Sequence, residues 1–392
     1  MNVLMLSWEY PPNVVGGLGA HVAHLAPIIA SRGDHVHVVT PRLKGGEPEA
    51  KSDGLSISRV EVPEPAGDFV DYALLVNRGL FEQAMVAIRT EGSPWLLHAH
   101  DWLVGDAAIR LHDELRLPLL ATIHATEYGR NRGIHNELQQ RIHEQELRLA
   151  NAADRIIACS RFMAQQIRDV FAVLPTKLEI IPNGVDAQHF QDDFDRAEFR
   201  RQFAAEHEHI ILHVGRLVAE KGIDVVLDAM PKLLELAPNV KVVIVGSGPA
   251  LDSSRTRAAQ ESWAEHIIFT GFVSDEVRNR LYQVADAAMF PSLYEPFGIV
   301  ALEAMAAGVP VVVSNSGGLA EVVDREETGV VVEAGSPDAL AWGVVHVLEQ
   351  PELSKQRAQR AYVKATTEYN WNTIAEHTAR LYERLLEVPS AA

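Results

Sequence analysis

The strongest constraint on this chain is a rhythm in which short β-branched runs alternate with longer stretches of helical spacing. The runs are NVLMLS, HVHVVT, WLLHAH, LLATIH and RIIACS in the first half, and HIILHVG, VKVVIVG, IIFTG, AAMFPS and PVVVS in the second. Strands that are apolar throughout, separated by amphipathic helices, fit a parallel sheet covered on both faces. Each half is therefore expected to be a doubly wound α/β domain, with ligands received at the carboxyl ends of the strands.

At 392 residues the chain exceeds what one core usually holds, so two domains are expected. We expect a Rossmann-like N-terminal domain over residues 1–185, a polar linker over 186–209 and a second Rossmann-like domain over 210–368. A C-terminal helix over 369–392 is expected to pack back on the first domain, its Ile374, Leu381, Leu385 and Leu386 falling near one face.

The formal net charge of −18 argues against nucleic acid or an anionic membrane as partner, because both recruit positive surfaces. No apolar run of about 18 residues and no signal-peptide pattern is evident, so a cytoplasmic protein without a membrane signal is expected. The lone cysteine, Cys159, sits in an apolar run and reads as a buried small hydrophobe.

The loop VVGGLG after the first strand suggests a dinucleotide fingerprint, which wants an acid about 20 residues on, at the end of the second strand. That strand ends in Thr40-Pro41-Arg42, so the ribose-binding acid is missing. Gly16 and Gly17 instead read as a strand-to-helix turn whose backbone N–H groups offer a local anion or hydroxyl site.

In HVGRLVAEKG, Arg216 and Lys221 share one strand-to-helix loop, a pairing suited to a diphosphate. In YEPFGIVALEAM, Pro296 predicts a helix start beside Glu295, and Glu303 follows eight residues after Glu295. On one helix the two carboxylates would share a face about 12 Å apart, too far for paired-carboxylate hydrolysis but suited to two ends of an elongated ligand. The N–H groups of Phe297 and Gly298 would then open that helix. Further strand-end glycine loops occur at Gly246 and Gly248 and at Gly317 and Gly318.

His98, His100, Asp101 and His124 lie at strand ends in LLHAHDW and TIHATEYGR. A metal set is conceivable, but without a dedicated fourth ligand the residues read better as lining for sugar hydroxyls, with His98 a candidate core histidine. The DFD of Asp193–Asp195 resembles a metal clamp but has no strand before it, and reads as solvated linker.

Taken together, SWEYPPNVVGGLG, HAHDW, TIHATEYGR, IPNGVD, VGRLVAEKG, YEPFGIVALEAMAAGVPVV and GGLAEVV resemble the retaining GT-B glycosyltransferases of family 4, with glycogen-synthase-like features. The resemblance implies two Rossmann-like domains facing a cleft, the first for the acceptor and the second for a nucleotide sugar. It implies that Gly16 and Gly17 contact the donor diphosphate and the acceptor side, and that Arg216 and Lys221 neutralise the leaving diphosphate. Glu295 with the Phe297 and Gly298 amides would hold sugar hydroxyls, and Glu303 the ribose. His124 would lie beside the reacting centre and Asp101 near a sugar. The loops at Gly246, Gly248 and Val273 would enclose the base.

The implied activity is that of a hexosyltransferase moving glucose from ADP- or UDP-glucose to a glucan, sugar or small glycoside acceptor. It would act by front-face attack without a metal or other cofactor. Alternatives are a sugar-nucleotide 2-epimerase, a mannosyltransferase using GDP-mannose, and a catalytically silent sugar-nucleotide-binding subunit.

Overall fold

A computed structural model describes residues 1–92 and 95–387. The chain forms two units, one of residues 1–183 with the segment returning from Trp371, the other of Gly184–Asn370.

The first unit is built on eight strands: β1 (Asn2–Ser7), β2 (His35–Pro41), β3 (Glu49–Ser52), β4 (Leu55–Val60), β5 (Trp95–His100), β6 (Leu119–Ile123), β7 (Arg155–Ala158) and β8 (Leu178–Ile180). Their order is β3-β4-β2-β1-β5-β6-β7-β8, parallel except for the β3–β4 hairpin. In the middle of the sheet Met5 of β1 lies between Val38 of β2 and His98 of β5. Chain order reverses between β1 and β5, and a crevice is expected outside the carboxyl ends at such a point. The loops after β1, β5 and β6 carry the glycines, Asp101 and His124.

The helix returning over Trp371–Glu387 belongs to this unit. Its Trp371, Ile374, Tyr382 and Leu385 join Val3, Met5, Leu25 and Ile29 in one core. Residues 388–392 of the expected C-terminal helix lie outside the described residues.

The second unit holds β9 (His209–Val214), β10 (Val240–Val245), β11 (Ile267–Gly271), β12 (Ala287–Phe290), β13 (Val311–Ser314) and β14 (Val330–Val332). All are parallel, in the order β11-β10-β9-β12-β13-β14. Here the reversal falls between β9 and β12, which brings the Arg216–Lys221 loop beside the Glu295 loop. Residues 186–209, expected as a linker, fold within this unit as the short helical turns Ala187–Phe190 and Arg196–Arg201. Asp195 of the DFD run caps the second of these, its carboxylate accepting from the Glu198 amide at 2.9 Å. No described helix is long and apolar enough to cross a membrane.

Candidate active site

In the second unit, Lys221 Nζ donates to Glu295 Oε2 at 2.6 Å. Ser292 Oγ donates to the same oxygen at 3.1 Å, and Glu295 is 6% exposed. The two loops are also joined through their backbones, the amides of Leu293 and Tyr294 donating to the Glu220 carbonyl at 2.8 and 3.2 Å. Arg216, half exposed at the mouth of the same loop, reaches Glu220 at 3.4 Å. Two cations and a carboxylate thus converge on one strand-end loop pair.

The expected helix from Pro296 does not form. It begins at Ile299, because Gly298 has φ 112° and so leaves the right-handed helical path. Glu295 therefore lies in the preceding loop, and the shared helical face with Glu303 does not exist. The amides of Phe297 and Gly298 belong to that loop, with the Phe297 ring buried against Tyr369. Glu303, on the helix Ile299–Ala306, accepts from Tyr282 Oη at 3.1 Å and lies 3.9 Å from Arg278. Burial raises the Glu303 carboxyl above its ordinary value, with Arg278 pulling it back. Burial likewise pushes the Tyr282 hydroxyl well up.

Gly246 and Gly248 answer first to packing. A side chain at Gly246 would meet the Gly215 carbonyl at 1.9 Å, so the loops after β9 and β10 can lie together only if this residue is glycine. Val273 follows β11 on a loop whose Phe272 is 79% exposed.

In the first unit, Gly16 caps and Gly17 opens the helix Gly17–Ser31. The anion at this turn is internal, since Glu9 Oε2 accepts from the amides of Val15 and Gly16 at 2.8 and 3.1 Å. Asp101 is 7% exposed and adopts φ 62°, a left-handed conformation costly for a non-glycine residue and often found at functional sites. Its Oδ1 accepts from the His124 amide at 2.7 Å. Burial pushes the Asp101 carboxyl up to about 6 against the opposing charge of Arg130.

His124 pairs through Nε2 with His100 Nδ1 at 3.3 Å. Burial, then the Arg130 charge, lowers its imidazole to about 3, so it is neutral at physiological pH. His98 is a structural histidine, bonded to Tyr382 Oη and Thr122 Oγ1, each at 2.7 Å. With both ring nitrogens engaged, it is lost to the four-donor metal set. Cys159 is buried, as its apolar run suggested.

Four participants escaped sequence reading. His21 packs between His100 and His124 and bonds Asn183 of the IPNGVD motif at 2.7 Å, a contact spanning the whole unit. Glu146 and Tyr282 become recognisable only through partners about twenty residues away, and Glu9 only through the loop conformation that turns the Val15 and Gly16 amides towards it. The sole local hint was His21, four residues after Gly17 on the opening helix.

The chain matches Glycosyltransferase Family 4 over residues 15–189 and Glycosyl transferases group 1 over residues 195–364. It is 34% identical over 392 residues to an uncharacterized glycosyltransferase of Methanocaldococcus jannaschii, covering 99% of each chain. It is 35% identical to the glycogen synthase of Mycobacterium tuberculosis, covering 97% of this chain and 94% of that one. Among solved structures, sucrose-phosphate synthase from Thermosynechococcus elongatus gives a TM-score of 0.85 at 25% identity, covering 98% of this chain and 99% of the other. The chain belongs to glycosyltransferase family 4, with the GT-B fold of two parallel-sheet α/β domains, and is a hexosyltransferase.

Proposed function

We propose that this enzyme transfers glucose from ADP- or UDP-glucose to a hydroxyl of an α-glucan, sugar or small glycoside, with retention of anomeric configuration and without a metal. The observation that carries the reading is the Lys221–Glu295 pair with Arg216 on the same loop system. Breaking a glycosyl–phosphate bond sends its electron pair to the diphosphate, so fixed cations at that point should supply much of the catalysis. Lys221 and Arg216 are the groups we assign to this charge, and Glu295 to a donor sugar hydroxyl. Glu303, beside Tyr282, is assigned to the ribose.

On the acceptor side the neutral His124 can exchange hydrogen bonds with a sugar hydroxyl without adding positive charge near an anomeric carbon that is itself becoming positive. The acceptor oxygen bonds to that carbon as the phosphate leaves, and its proton passes to the departing phosphate oxygen. The glycogen synthase likeness favours glucose as the sugar and a glucan as the acceptor.

The test is a thermal-shift panel of ADP, UDP and GDP with their glucose and mannose conjugates, followed by product analysis with maltooligosaccharides. Stabilisation by ADP or UDP species and chain extension by one glucose are expected. Epimerised sugar nucleotide without acceptor, or transfer from GDP-mannose alone, would overturn the reading.

A further inference from the structure

Glu146, on the helix Glu137–Ala152, is 3% exposed, an unusual position for a carboxyl unless it serves a neighbour. Its Oε1 accepts from the Glu127 amide at 2.8 Å. Its Oε2 is equally buried and has no hydrogen-bond partner. Glu127 follows three residues after His124, in the turn that ends with Arg130.

That turn is held mainly by its backbone. Asp101 takes the His124 amide at 2.7 Å, and the Ala125 amide donates to it as well. Thr126 donates to Gln166 at 2.8 Å and caps the Gly129 amide at 3.0 Å. Glu146 takes the Glu127 amide between them. The Glu127 carboxylate is engaged elsewhere, accepting from Asn131 at 2.8 Å. Two buried carboxyls therefore suspend one short segment carrying both His124 and Arg130.

We propose that Glu146 is a positioning residue for the reacting centre, fixing the His124–Arg130 segment together with Asp101 and controlling the charge around Arg130. The inference rests on the reading of His124 as the residue beside the transferred sugar.

The groups acting on Glu146 are Arg130, Asp101 and Glu127. Acids on the neighbouring helices are paired with arginines of Glu146's own helix, Asp106 with Arg148 and Asp68 and Asp71 with Arg141. Burial is the largest influence and pushes the Glu146 carboxyl to about 8, so it carries its proton at neutral pH. In that state Glu146 adds no negative charge near Arg130 and Asp101. Above about pH 8 Glu146 adds a further carboxylate that interacts with Arg130 and competes with Asp101 for it. Turnover should then change with a group titrating near 8.

Glutamine keeps the acceptor for Glu127 but cannot ionise, whereas alanine removes the acceptor. Glu146→Gln should stay within about threefold of wild-type kcat at pH 7 and lose the alkaline inflection. Glu146→Ala should lose about 10- to 100-fold in kcat, the scale of a small misplacement of reacting groups. KM for the nucleotide sugar should hold within about threefold in Glu146→Ala, because Lys221, Glu295 and Glu303 belong to the other unit.

Hydrogen exchange of peptides spanning 124–131 supplies a readout independent of turnover, and Glu146→Ala should speed it at least about tenfold. Wild-type turnover or unchanged exchange in Glu146→Ala would overturn the proposal. So would an alkaline inflection that survives in Glu146→Gln, or equal losses in the two variants. Faster exchange in Glu146→Ala, together with no glucose transfer by the wild type, would leave the positioning intact and sink the transfer reading instead. If Glu146→Ala does not fold, the Glu146→Gln pH profile still decides.

Discussion

At Lys221 a single ammonium holds the Glu295 carboxylate and is also the group we propose for the leaving diphosphate, and the two roles can be separated. Lys221→Ala should lower kcat by about 10²- to 10³-fold through loss of leaving-group stabilisation. The variant should still fold, since Ser292 continues to bond the Glu295 carboxylate. The stranded carboxylate should nonetheless lower the thermal midpoint. Combining Lys221→Ala with Glu295→Gln should restore the midpoint but not turnover; recovery of both would remove Lys221 from the mechanism.

Asp101 offers a second measurement at this scale. Its carboxyl titrates at about 6 against an ordinary 3.8, so the folded protein holds a proton that the unfolded chain has released. The stability this contributes is fully present below about pH 3.8 and is lost as pH rises through about 6. Asp101→Asn removes the titration. Between pH 4 and 7 the stability difference should therefore move towards the variant by up to ~3 kcal/mol. A pH-independent difference in unfolding free energy would contradict this.

At the level of elements, the sequence was most legible where burial is uniform. β1, β5 and β9 are nearly pure apolar runs because both sheet faces are covered, and their positions followed directly. The polar hairpin of EAKS and LSISRV and the three-residue β8 and β14 were missed. Edge and very short strands need little apolar surface and leave a faint pattern.

Site residues on strand-end loops were legible for the same reason, since finding the strands located Arg216, Lys221, Asp101 and His124. Helix phase was not. Gly298 delays the helix to Ile299, and nothing in PFGIVALEAM announces the left-handed turn. Glu146 was invisible, because only tertiary packing of its helix against the His124–Arg130 turn gives it a role.

The returning helix yields its own test. Tyr382→Phe strands the buried His98 Nδ1 and should cost about 1–3 kcal/mol of stability. kcat should stay within about twofold, as Tyr382 lies behind the sheet rather than on a strand-end loop. A large loss of turnover at full stability would mean that His98 does more than hold the core.

For the molecule as a whole, a net charge of −18 gives no long-range attraction for nucleotide diphosphates, so their recognition has to be local, and we propose the Arg216–Lys221 loop for it. Saturating ADP or UDP, at about 100 times Kd, should then stabilise the wild type by about 2.7 kcal/mol. The same nucleotide should stabilise Lys221→Ala measurably less. Membership of family 4 establishes glycosyl transfer as the activity.

The central claim, glucosyl transfer with retention, is tested most directly by proton NMR of the product formed from α-configured ADP- or UDP-glucose and a maltooligosaccharide. One new α-anomeric signal, growing in step with the released nucleoside diphosphate, is the expected result. A β-linked product, or nucleotide release with no new glycosidic signal, would contradict it.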